Sequence, residues 1–63
     1  MEFECPWCHL HISVEHYEWT YVQSVAILHF HACNSRPVNL TADTIEANAE
    51  RVADQIEDEY RAR

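Results

Sequence analysis

The chain of 63 residues has no glycine and no lysine, and four arginines stand against eleven aspartates and glutamates, for a formal net charge of -7. A field of that sign repels a phosphodiester backbone, which argues against a broad phosphate-binding surface but leaves room for a small local reading site. Acidic surface without lysine resembles proteins of high-salt cytoplasms, and a GC-rich genome favours arginine over lysine equally well. Cysteine is scarce and odd in number, three in all, so a disulfide framework would leave one thiol unpaired. Long apolar runs are missing too. The longest, residues 25–30, is interrupted by His29, far short of the roughly 20 residues that cross a bilayer. No basic start followed by an apolar run marks a signal peptide. These absences together predict a reduced, cytoplasmic protein of one domain. A chain of this size buries roughly 60% of its extended surface, so apolar burial alone leaves it marginal and a metal or a partner subunit is expected to help.

What is present is a set of metal-binding residue types. Cys5-Pro6-Trp7-Cys8 opens the chain, and His29 and Cys33 follow, giving C-x2-C-x20-H-x3-C. Zinc favours tetrahedral coordination by thiolate and imidazole; a two-residue gap lets one tight turn aim both sulfurs at a single ion. Cys5, Cys8, His29 and Cys33 are therefore the expected ligands of one structural zinc ion per chain, a centre with formal charge of about -1 for three thiolates and one dication. His31 could replace His29, although its two-residue spacing from Cys33 suits a strand or loop better than a helix. His9, His11 and His16 could complete a different site, but are read as surface residues or supports beside the centre.

The predicted fold class is a small α+β zinc-stabilised domain with a β-hairpin, a ligand-bearing helix and a longer C-terminal amphipathic helix. Its pieces are a zinc-finger-like module over residues 1–33, a linker over 34–40 and the helix over 41–63. In residues 9–22, Leu10, Ile12 and Val14 alternate with His9, His11 and Ser13, and Tyr17, Trp19 and Tyr21 alternate with Glu18 and Thr20. Period-2 patterning on both sides of Glu15-His16 predicts a hairpin, whose turn lacks glycine or asparagine to mark its position. Residues 22–33 fit either element. A helix places His29 and Cys33 on adjacent turns and is preferred, while β-branched Val22, Val25 and Ile27 suit a strand. Pro37 restrains Arg36 toward extended backbone and separates the flanking elements. Thr41 is then an N-cap, Asp43 adds favourable first-turn charge, and Leu40 can staple against Ile45. The stripe Ile45, Ala49, Val52, Ile56 and Tyr60 has helical spacing. A helix of this length spans about 30 Å, so it either folds back over the hairpin or offers part of its stripe to another chain.

Knuckle, hairpin and ligand-bearing helix in that order resemble the ββα zinc-finger arrangement of the C2HC and C2H2 classes, over residues 5–33 only. The resemblance implies that Cys5 and Cys8 act as the cysteine pair and His29 and Cys33 as the helical pair. The gap of twenty residues is longer than the roughly twelve of the DNA-reading finger. The cysteines are expected to precede the hairpin here, whereas in that finger they lie within it.

Three chemistries compete for the same cysteines. Cys5-Pro6-Trp7-Cys8-His9 matches the C-x-x-C-H pattern of haem attachment, but so short a chain with a long acidic helix offers no porphyrin pocket. A dithiol redox centre gains its reactivity at a helix N-terminus after a strand, whereas only four residues precede Cys5. Hydrolysis needs an open coordination position, and four protein ligands close it. Glu15 and Glu18 are the available bases, with no HExxH motif to support them. No enzymatic activity is expected. The leading expectation is a small zinc-binding adaptor or regulatory protein acting through a protein partner or as a homodimer. Its aromatics (Trp7, Tyr17, Trp19, Tyr21 and Phe30) either make those contacts or fill the core against the C-terminal helix, the latter preferred for Trp19 and Phe30. The alternative is a nucleic-acid-binding zinc-finger transcriptional regulator using Arg36, Arg51, Arg61 and Arg63, with aromatics stacking on bases.

Overall fold

A computed structural model describes residues 1–62, and Arg63 lies outside the described residues. The elements run β1 (Glu2–Glu4), β2 (His11–Ser13), α1 (Trp19–Ala32) and α2 (Ala42–Arg61). This is the α+β architecture expected from the sequence, with the hairpin in a different place. β1 pairs antiparallel with β2 in the register Glu2 with Ser13, Phe3 with Ile12 and Glu4 with His11. Alternation puts Phe3 and Ile12 toward the core and leaves Glu2, Glu4, His11 and Ser13 in water. Cys5 and Cys8 thus sit inside the hairpin, at its turn, and do not precede it. The position agrees with that of the cysteine pair in the ββα finger more closely than the sequence suggested.

The expected second strand, Tyr17 to Tyr21, belongs instead to the approach and first turn of α1. No local signal marks that start. Glu18 at the N-cap makes no side-chain capping bond, and the first turn holds no acidic residue. The helix is held by packing. Val22, Ala26 and Phe30, spaced four apart, are fully buried, a stripe that overlaps and outweighs the short aromatic alternation. Cys33 ends α1 in extended backbone, φ −70° and ψ 121°.

α2 begins where the sequence places it. Thr41 Oγ1 accepts from the Thr44 amide at 3.2 Å, Asp43 lies in the first turn, and Leu40 packs against the core that includes Ile45. Ile45, Ala49, Val52, Ala53 and Ile56 are buried, so the stripe is used within the chain. Only Tyr60, at 44% exposure, remains partly outside. The Trp19 indole at the start of α1 donates to Asp54 Oδ1 at 2.7 Å, and Tyr17 stacks on Tyr60. The start of α1 therefore meets the end of α2, and the helices run antiparallel. By helical rise α2 exceeds α1 by about 9 Å, and residues 17–18 extend α1's coverage of it.

The accessible surface of 4437 Å² is close to the roughly 4200 Å² of a folded chain of this mass. Phe30 is the centre of the core. Phe3 meets it edge-on at 6.3 Å between ring centroids and Trp7 at 5.0 Å, joining α1 to both the strand and the knuckle. Phe30→Ala removes this hub, and a buried phenylalanine truncation costs about 3–5 kcal/mol. Against a total of roughly 3–9 kcal/mol for a chain of this length, urea titration with the metal site loaded should show most of the stability lost.

Candidate metal centre

The hairpin turn is short and tightly bonded. The Cys5 amide donates to the Leu10 carbonyl at 3.0 Å, and the His9 amide donates to the Cys5 carbonyl at 2.9 Å. Reversing the chain in this space demands a positive φ, and His9 supplies it at 62°. In a chain without glycine, histidine is among the residues that enter this region most readily. Its Nδ1 lies 2.7 Å from Glu4 Oε2 across the turn.

The backbone amides of Cys8 and Trp7 pull the Cys5 thiol down, and the Leu10 amide does the same for Cys8. Amide dipoles acting this way favour thiolate, the form a metal takes. Burial dominates at Cys5 and pushes its thiol above the ordinary range, against the pull of those amides. At Cys8 the Leu10 amide leads, assisted by His29, and the thiol comes down to about 7.

The last turns of α1 bring the other two donors. His29 Nε2 lies 3.5 Å from Cys8 Sγ, and Cys33 Sγ lies 3.8 Å from Cys5 Sγ. All four donor atoms fall within 4.8 Å of one another. Tetrahedral zinc, with bonds of about 2.3 Å to sulfur and 2.0–2.1 Å to nitrogen, requires edges of about 3.8 Å for S···S and 3.6 Å for S···N. The two contact distances match those edges. The site is asymmetric in depth, with Cys5 and Cys33 buried in the core and Cys8 at the surface. Cys5, Cys8, His29 and Cys33 thus lie close enough to hold a metal ion.

The remaining histidines are placed elsewhere. His31 is exposed and stands outside the cluster. His9 pairs with Glu4, and His11 sits 3.3 Å from Glu2 and 3.6 Å from Glu4. His16 lies edge-on to Tyr21. What the sequence reading missed is the carboxylate support behind His9 and His11, which becomes visible only once β1 is paired with β2. No protein-family model, curated protein or solved structure matches this chain.

Cobalt(II), whose thiolate charge-transfer bands report directly on sulfur ligation, should bind the native protein and fail to give the three-thiolate spectrum in Cys5→Ser, Cys8→Ser or Cys33→Ser. His29→Ala should weaken binding by more than about tenfold, what losing a mere outer-shell support to a ligand already costs, while His31→Ala leaves it unchanged. Metal affinity should also fall with acid. The Cys5 proton must leave on binding, so affinity drops about tenfold per pH unit from that group alone. The slope steepens below pH about 7, where Cys8 is protonated as well.

Proposed function

We propose that Cys5, Cys8, His29 and Cys33 hold one zinc ion as a closed structural centre, and that the domain serves as a small adaptor or regulator working through protein contacts. The observation that carries the zinc reading is the agreement of the Cys5–Cys33 and Cys8–His29 separations, 3.8 and 3.5 Å, with the edges of a zinc tetrahedron. Three sulfurs and one imidazole nitrogen suit zinc rather than calcium or magnesium, which take oxygen ligands. Four protein donors leave no open position for substrate, so the metal supplies folding energy and not catalysis.

The protein-contact reading is supported by what stands on the surface. Leu10 and Leu28 are 56% and 75% exposed, each within two residues of a ligand, and they offer apolar contact area beside the centre. The ligand-bearing helix argues against groove reading. From Trp19 to Ala32, α1 contains no arginine or lysine, so the element that would enter a groove in a ββα finger brings no cation to the phosphates.

Native mass spectrometry before and after chelation tests both parts of the metal reading. One zinc per chain is expected, with collapse of the folded charge-state distribution once the metal is removed. No metal bound under reducing, metal-replete conditions would defeat it. Labelled DNA and RNA titrated at low salt should show no binding to the zinc-loaded domain; saturable binding there would replace the adaptor reading with nucleic-acid recognition.

A further inference from the structure

At the start of α1, roughly 15 Å along the helix from His29, a second feature has no part in the metal centre. Tyr17, Glu18 and Trp19 meet Glu57, Tyr60 and Arg61 around a notch of ≈ 240 Å³. The Tyr17 and Tyr60 rings are stacked 3.6 Å apart and 8° from parallel, yet they remain 46% and 44% exposed. Trp19 is held rigid by its indole bond to Asp54. Glu18 and Glu57 place carboxylates at the same opening. One guanidinium is already there, since Arg61 contacts Glu57 Oε1 at 2.8 Å in an i,i+4 pair. Surface pairs of this kind contribute little to stability and exchange readily.

We propose that this notch is a recognition site for an arginine side chain of a basic protein segment, the incoming guanidinium replacing Arg61 on Glu57 and lying against the Tyr17–Tyr60 stack. A planar guanidinium meets both demands of the lining, stacking on an aromatic face while forking onto a carboxylate. The ammonium of lysine has no plane to stack and no fork to offer. Charge selects the partner as well. A chain of net charge -7 attracts basic segments and repels phosphate-bearing ones over the last nanometre of approach. The Tyr17 phenol is pushed above its ordinary range chiefly by Tyr60 beside it, which favours its uncharged form. The stack shares its opening with the two carboxylates.

The proposal rests on the protein-contact reading, and its test is separable from that reading. Zinc-loaded, isotope-labelled protein is titrated with a short acetylated peptide of glycines and arginines, and with its citrulline counterpart, which keeps the shape and lacks the charge. The arginine peptide should shift resonances of Tyr17, the Trp19 indole and Tyr60, and bind at least about tenfold tighter than the citrulline peptide. Glu57→Gln should weaken binding by about tenfold, with circular dichroism and zinc content unchanged. Arg61→Gln should strengthen it by about threefold or more through loss of the resident competitor. Arg51→Gln, an equal charge change on the same helix outside the notch, should leave affinity within about twofold. Equal binding of the two peptides, shifts away from these residues, or an unaltered affinity in Glu57→Gln overturns the proposal. Such a failure removes the notch alone; the adaptor reading falls on the nucleic-acid titration.

Discussion

The structure depends on the meeting of the hairpin turn with the last turns of α1. Two strands of three residues each are too short to persist alone, and α1 starts without a cap. Neither element has a local reason to be stable. What joins them is a vertical series of contacts from core to solvent. Phe30 packs under Phe3 and Trp7, Cys33 approaches Cys5 inside, and His29 approaches Cys8 outside. The end of α1 makes this series continuous, because residues 29 and 30 lie in its last turn and Cys33 follows directly as its C-cap. A metal at the four donors and a packed phenylalanine beneath them would therefore stabilise one another.

α2 completes this arrangement without touching the chemistry. Its buried stripe covers α1 and reaches β1, supplying the apolar burial that a module of 33 residues lacks. Its remaining faces carry most of the chain's acid. The two ends of α1 consequently differ in character. One is a sulfur-and-imidazole cluster anchored in the core, and the other is a tyrosine stack between carboxylates, where the tail of α2 outruns its partner helix. Between them, α1 carries no arginine or lysine.

Much of this was legible in the residue order. The cap at Thr41 and the four-residue spacing of Ile45, Ala49, Val52 and Ile56 identify α2 because its signals are local and uncontested. The gathering of Cys5, Cys8, His29 and Cys33 was legible because C-x2-C and H-x3-C are each compatible with one turn of backbone, and the odd cysteine count disfavours disulfides. The hairpin was misplaced for a physical reason. Tyr17, Trp19 and Tyr21 alternate as a strand would, while Trp19, Val22, Ala26 and Phe30 have helical spacing. Local pattern cannot arbitrate between two periods that share residues. Burial of Val22, Ala26 and Phe30 against α2 decides for the helix, and residues 11–13 then pair with residues 2–4. The turn itself carries no glycine to announce it, since His9 takes the positive φ.

The sequence by itself determined the donor chemistry, the acidic field and the amphipathic second helix, each of which follows from residue type and short-range spacing. Tertiary structure alone decided where the strands lie, that His29 rather than His31 faces Cys8, and that the cysteine pair sits within the hairpin. It also placed Tyr17 against Tyr60, 43 positions away. These outcomes share one cause. Each requires segments distant in the chain to compete for a single small core, and that competition is settled by which apolar faces can be buried together.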